Sequence, residues 1–379
     1  MNASLSVFKD IKIGTRRGVK TENAASESAA NCFTMLSMDD LTRRPKTDPT
    51  EIYRHRDGIY APELVAVAIV GLDFFSRLAK SPADEQSICT GLGLAERPVD
   101  VMLTLFCAMG YIEKKDGAFH LTEIAREFLV RDSPWFVGPY FVHFVDRPIY
   151  KALLETLRTD KPSWAGATAR KPWVEAMEDD AFAEQFTGTM DSRGMYVGPV
   201  LAARLDLKAH RRLLDIAGGS GIYACCIAAA HSHLKATVFE KPPVDRVTRK
   251  CIAKRGFTDR VGVASGDMLR DPLPAGYDVH LWSNALHDWG AATVKLLLGK
   301  SYAALPPGGL LVIHDRHLNR EKTGPLPIAA HSVFLMAGTE GRYYSIAEIE
   351  AFLDEVGFVA PDYREVILDY SIITARKPE

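Results

Sequence analysis

The chain has 379 residues, 47% of them hydrophobic and 25% charged, enough to build a sizeable core over two domains or one large and one small. Its 46 basic and 48 acidic residues leave a formal charge of −2, which excludes a global electrostatic pull toward nucleic acid or an anionic membrane. No apolar run reaches the length of a membrane span, the N-terminus lacks the apolar stretch of a secretory signal, and the six cysteines (Cys32, Cys89, Cys107, Cys225, Cys226, Cys251) have no zinc spacing. Reduced thiols in a cytoplasmic protein are expected.

In chain order, residues 1–50 read as a disordered tail without periodicity, ending in the extended Arg43-Arg-Pro-Lys-Thr-Asp-Pro49; Met38 is a candidate start. From Glu63 to Ala79, Leu64, Val67, Ala68, Gly71, Leu72, Phe75 and Leu78 recur at helical spacing and predict one helix. Ser81, Asp84 and Glu85 open a short helix, Pro98 to Met109 forms another, and Gly110 to Thr122 reads as a hairpin turning at Asp116-Gly117. Three helices and a hairpin over 51–133 outline a winged helix. Its would-be recognition helix offers one Arg and one Asp among apolar side chains, so it suits a core or a subunit contact rather than a DNA groove. Residues 134–200 carry the aromatic cluster Trp135, Phe136, Tyr140, Phe141, Phe144 and the Lys171-Pro-Trp173 segment, read as connecting helices that wall a substrate pocket.

From 201 onward strands and helices alternate, which predicts a doubly wound, mainly parallel, Rossmann-like α/β sheet. Arg211-Arg-Leu-Leu-Asp-Ile-Ala-Gly-Gly-Ser-Gly221 is a strand entering a tight turn, and Ala236 to Glu240 is the next strand. Gly218, Gly219 and Gly221 let backbone approach a ligand, and Glu240 is placed to accept hydrogen bonds from a ribose diol. The same glycines loosely fit a dinucleotide fingerprint, which keeps an NAD oxidoreductase as an alternative. Asp215 decides between the two, because a carboxylate entering the turn opposes a pyrophosphate but suits the cationic groups of S-adenosylmethionine. Further strands end at Asp267 and Met268, at Ser283 ahead of His287-Asp288-Trp289, and at Asp315; these ends are expected to line one crevice. Ser345 to Glu348 caps a helix ended by Gly357, and two antiparallel strands close the sheet.

These motifs, with Pro242-Pro243, Gly266-Asp267-Met268, Leu286-His287-Asp288-Trp289 and Pro307-Gly308-Gly309, resemble the small-molecule O-methyltransferases of the caffeate and hydroxyindole type and their bacterial relatives, from about Glu51 to the end. The resemblance implies a class I methyltransferase fold, an N-terminal winged-helix dimerisation domain, a homodimer, and a small-molecule acceptor with neither nucleic acid nor membrane as partner. It assigns Glu240 to the ribose, Asp267 and Met268 to the adenine, and the Gly218–Gly221 loop to the methionine part; Asp215 and Ser283 are also expected at the cofactor. His287 becomes the general base, an imidazole suited to taking a phenolic or enolic proton near neutrality. Met190, Trp289 and His331 are expected at the substrate. Ala217 replaces the first glycine of the family's loop, and where the plant enzymes flank the base with two glutamates this chain has Asp315 and Tyr343. His287, Asp315 and His331 also form a candidate facial triad for a divalent metal, which would turn the chemistry to C-methylation of an α-keto acid. A non-catalytic binding relative is the remaining alternative. His314 and His317 are assigned to scaffold or surface, and Arg193 and Arg342 are candidate carboxylate anchors.

Overall fold

The computed structural model describes residues 41–163 and 173–379. The tail before residue 41, Met38, Cys32 and the Lys171-Pro172 pair therefore lie outside the described residues. The N-terminal part runs α1 (Thr50–Asp57), α2 (Ala61–Ala66) continuing as a π turn (Val67–Gly71), α3 (Phe74–Lys80), α4 (Glu85–Leu92), α5 (Glu96–Ala108), the strands β1 (Ile112–Lys115) and β2 (Ala118–Leu121), and α6 (Glu123–Phe128). The single helix expected from Glu63 to Ala79 is thus two. Asp73 breaks it in the left-handed region with φ 50°, a conformation that Asp tolerates better than most residues. The break turns Phe74 and Phe75 together onto Phe106, at ring distances of 5.6 and 5.1 Å. Asp84 caps α4, accepting the Ser87 N–H at 2.8 Å. The hairpin turns at Asp116-Gly117 as expected, with φ 51° and 83°.

Helix α5 is apolar almost all round and buried from Pro98 to Phe106. Its charges are used within the chain: Arg97 donates to the Gly341 carbonyl at 2.8 Å, and Asp100 pairs with Arg342 at 2.9 Å. The helix therefore belongs to this chain's own core.

The remainder runs α7 (Pro148–Thr159), α8 (Trp173–Ala176), α9 (Asp180–Arg204), β3 (Arg212–Ile216), α10 (Ile222–Ala230), β4 (Lys235–Glu240), α11 (Val244–Lys254), β5 (Val261–Ser265), β6 (Val279–Ser283), α12 (Ala291–Ala304), β7 (Leu310–Asp315), α13 (Leu326–Gly338), α14 (Ile346–Val356), β8 (Val359–Glu365) and β9 (Ser371–Arg376). The sheet order is β5-β4-β3-β6-β7-β9-β8. The first five strands are parallel, and β9 lies antiparallel between β7 and β8. The chain enters at β3, builds outward to β5, then returns to the other side of β3 with β6. The glycine turn after β3 therefore stands at the topological switch point, where doubly wound sheets bind ligands. Helix α5 packs on α13, and α9 lies along α10. That second contact is close: a Cβ at Gly194 would stand 2.3 Å from Ile222 Cγ2, and one at Gly198 2.7 Å from Cys226 Sγ. Ser345 and Glu348 form the expected capping box of α14, and Gly357 ends it with φ 103°. No single helix among the described residues is long and apolar enough to cross a membrane.

His280 sits on central strand β6, fully buried, with no partner for either ring nitrogen among the described residues. Burial pulls its pKa down to about 4. The unfolded chain takes up that proton first, so the stability this neutral ring permits is intact above about pH 6.5 and is lost as pH falls toward 4. Urea unfolding of wild type and His280→Leu at pH 7 and pH 4.5 is expected to show the variant losing about 2 to 3 kcal/mol less over that interval.

Candidate functional site

Strand β3 delivers Asp215 into the turn, where Ala217, Gly219 and Gly221 adopt φ of 56°, 55° and 72°. Gly218 is required by close approach, because a Cβ there would lie 2.5 Å from Asp215 Oδ2. Ala217 occupies a left-handed conformation that costs a non-glycine residue about 1 kcal/mol, a departure held by its N–H donating to the Phe239 carbonyl at 2.9 Å. Asp215 is buried with no strict hydrogen-bond partner for either carboxylate oxygen among the described residues. Burial pushes it up to about 7, only partly offset by the nearby Ala224 amide. Glu240, half-buried at the end of β4, accepts the Gly219 and Lys241 N–H groups at 3.1 and 2.9 Å. Its pKa is likewise pushed up to about 7 by burial. A close-approach turn beside two desolvated carboxylates, one with orphaned oxygens, fits a ligand that carries cationic groups and a diol, as S-adenosylmethionine does.

The other expected cofactor residues divide. Asp267 and Met268 follow β5, half-buried at the same sheet edge; Asp267 Oδ1 accepts the Leu269 N–H at 2.8 Å, and the Met268 carbonyl accepts from Lys300 at 2.7 Å. Ser283 has a different occupation, its buried hydroxyl being taken by His314 Nδ1 at 2.7 Å and Asn284 Nδ2 at 3.2 Å.

His287 stands in a short turn, Leu286–Asp288, after β6. Its Nδ1 faces both oxygens of Asp315 at 2.8 Å, and the Arg316 backbone N–H gives Asp315 Oδ1 a second donor at 2.8 Å. Burial would raise Asp315, but His287 beside it outweighs this and holds it below the ordinary carboxylate value. Asp315 is then an acceptor, Nδ1 carries the proton, and Nε2 keeps its lone pair. Burial opposes charging the ring, yet Asp315 and Asp288 outweigh it and lift His287 above the ordinary imidazole value. The carboxylate nearest the free side is Asp288, 3.8 Å from Nε2, itself pushed up to about 6 by burial. The turn is backed by Gly341, where a Cβ would meet the His287 carbonyl at 2.0 Å, and by Tyr344, whose hydroxyl donates to the Trp289 carbonyl at 2.6 Å. Trp289 is packed into the apolar core with Leu286 and Val294, so it supports the turn. Met190 is half-buried on α9.

The metal expectation is corrected by His331 on α13. Its Nδ1 lies 2.5 Å from Arg316 Nη1 and 2.9 Å from the Tyr343 hydroxyl. A guanidinium only donates, so Nδ1 is an acceptor and the ring's proton sits on Nε2. Burial and the neighbouring Arg316 hold His331 well below the usual imidazole value. One nitrogen is occupied, the other protonated, a fixed cation stands alongside, and both Asp315 oxygens face His287. No group of three or more metal-capable His, Cys, Asp or Glu side chains occurs among the described residues. Tyr343 makes no hydrogen bond to His287 among the described residues; its ring meets His287 edge-on at 5.1 Å while its hydroxyl goes to His331.

The sequence reading missed Asp57. This buried carboxylate at the end of α1 accepts from Arg56, Arg193 and Arg316 at 2.9, 2.9 and 2.8 Å. Burial alone would raise it, but the surrounding cations hold it well below the usual carboxylate range. Arg193 is thus committed to Asp57, and Arg342 to Asp100 and Glu348 at 2.9 and 2.7 Å, so both expected carboxylate anchors are internal ion pairs. His314 and His317 are buried rather than superficial, their Nδ1 atoms bonded to Ser283 and Ser371 at 2.7 Å each. An Asp closing a short polar helix far from the catalytic motifs carries no sequence signal for such a role.

Compared with known proteins, residues 150–359 match the O-methyltransferase domain family. A 3-hydroxy-5-methyl-1-naphthoate 3-O-methyltransferase of Streptomyces sahachiroi is 32% identical over 82% of this chain and 89% of its own. An L-tyrosine C(3)-methyltransferase of Streptomyces lavendulae is 30% identical over 78% of this chain and 83% of its own. The structure of an O-methyltransferase family 2 protein from Planctomyces limnophilus in complex with apigenin superposes with a TM-score of 0.82 at 33% identity, covering 90% of this chain and 100% of that one. The dinucleotide reading of the glycine turn is set aside by these likenesses.

With Asp215 near 7 in the free protein, a ligand that keeps an ammonium favours the ionised carboxylate. Affinity for S-adenosylhomocysteine is therefore expected to rise about tenfold from pH 6 to pH 8. Calorimetry in buffers of differing ionisation enthalpy reads the released proton, and Asp215→Asn flattens the dependence.

Proposed function

Because the chain belongs to the O-methyltransferase family, we propose that it transfers a methyl group from S-adenosylmethionine to a hydroxyl of an aromatic small molecule, with His287 as general base. The carrying observation is the 2.8 Å contact of His287 Nδ1 with Asp315, which leaves Nε2 as the acceptor. When bound, the cofactor supplies an electrophilic methyl group. The protein's part is to hold it with Asp215, Glu240 and the glycine turn, to take the hydroxyl proton on His287 Nε2, and to stabilise the resulting imidazolium with Asp315. The name of the Streptomyces sahachiroi relative, which places its product methyl on a naphthoate hydroxyl, supports a phenolic acceptor here. Metal-assisted C-methylation loses its support with the donor set at His331.

The N-terminal helices and hairpin, read as a winged-helix module over 51–133, are proposed to form a homodimer. The exposed Ile124 and Phe128 of its α6, with Trp135, Tyr140 and Val142 in the segment that directly follows the module, support this, since so many large apolar groups within one short stretch favour a covering partner. A cytoplasmic setting is supported by the free thiols of Cys89, Cys107, Cys225, Cys226 and Cys251.

His287→Ala is expected to lower kcat by about 100-fold to 10,000-fold while leaving S-adenosylhomocysteine affinity nearly unchanged; an equal loss of both refutes the role. Light scattering after gel filtration tests the assembly: wild type elutes as a dimer, and the pair Trp135→Glu and Tyr140→Glu shifts it to monomer without loss of thermal stability in the monomer's own fold.

A further inference from the structure

The two imidazoles beside Tyr343 are set in opposite tautomers. His287 and His331 lie 5.1 and 5.3 Å from its ring centre. Asp315 draws the His287 proton to Nδ1 and leaves a lone pair on Nε2. Arg316 Nη1 stands between Asp57 Oδ2 at 2.8 Å and His331 Nδ1 at 2.5 Å, donating to both. That leaves an N–H on Nε2 of His331. His287 and His331 are both buried, 9% and 4% exposed. A ring with a free acceptor and a ring with a free donor thus both pack against Tyr343.

We propose that Arg316, anchored by Asp57, locks His331 as the neutral Nε2–H tautomer, and that this N–H binds an oxygen adjoining the hydroxyl that is methylated. The inference rests on the proposed methyl transfer at His287 and names its acceptor class: hydroxyarenes with a carbonyl or carboxylate oxygen ortho or peri to the reacting hydroxyl. In such a molecule the hydroxyl donates to His287 Nε2 while its neighbour accepts from His331. A plain hydroxyarene leaves the His331 N–H desolvated and unpaired, a penalty by which polar sites reject analogues. The guanidiniums of Arg193 and Arg316 around Asp57 add positive potential that favours a carboxylate. Arg316 acts through His331 and is a positioning residue.

The test compares 3-hydroxy-2-naphthoate with 2-naphthol as acceptors, each variant first checked for the wild-type thermal shift with S-adenosylhomocysteine. Wild type is expected to favour the hydroxynaphthoate in kcat/KM on the order of 100-fold. His331→Leu and Arg316→Met each bring the ratio close to one. His331→Gln in the Arg316→Met background restores it, because a carboxamide N–H has no tautomer to be fixed. Where Arg316→Met fails the folding check, His331→Gln alone keeps the preference and His331→Leu alone loses it. Equal use of both acceptors by wild type, or a preference that survives His331→Leu, overturns the inference and leaves methyl transfer standing. Absence of S-adenosylhomocysteine binding, or of turnover with either acceptor, overturns it together with the broader reading.

Discussion

The carboxylate of Asp57 is the constraint around which the site is arranged. It is 1% exposed and joins the end of α1 to Arg193 in the long helix α9 and to Arg316 just past β7. A buried charge is tolerable only when paired and hydrogen-bonded, and removing one partner leaves the others uncompensated. Segments from three regions are therefore held in one geometry. Arg316 carries this to the chemistry twice, through its side chain to His331 and through its backbone N–H to Asp315. Its Nε remains without a partner among the described residues, a desolvation cost borne where the clamp is tightest.

Two imidazoles of similar burial come to opposite duties because their neighbours differ. Beside a carboxylate, His287 is biased toward accepting a proton; beside a guanidinium, His331 is kept neutral. The sheet supplies the placement and the adjoining charges supply the roles. The glycine turn follows the same logic, since its tight approach to Asp215 only becomes favourable once a cation or donor answers the buried carboxylate.

Much of the fold was legible because the segments around β3 to β7 announce themselves by period and punctuation: apolar runs ending in Gly-rich or acidic positions, and helices closed by caps such as Ser345 and Gly357. The meeting of His287 with Asp315 was legible for the same reason, as one follows β6 and the other ends β7. The break at Asp73 was not, because the apolar spacing continues straight through it and only packing of Phe74 and Phe75 on Phe106 favours the bend. Nor was the tautomer of His331, which depends on Arg316, fifteen residues earlier in the chain and on another element. A metal triad and a donor–base pair use the same residue types; orientation separates them, and orientation is set by partners distant in sequence.

That distance has a bearing on how the protein comes to exist. Asp57 and Arg316 are separated by 259 residues. At a synthesis rate of about 5 to 20 residues per second, Asp57 leaves the ribosome tens of seconds before Arg316, the most distant of its three arginine partners. The sheet has the same dependence, because β9 fills the gap between β7 and β8 and follows both in the chain. Until Arg316 is made, Asp57 has Arg56 and then Arg193 as its partners, and its link to His331 is among the later contacts to form.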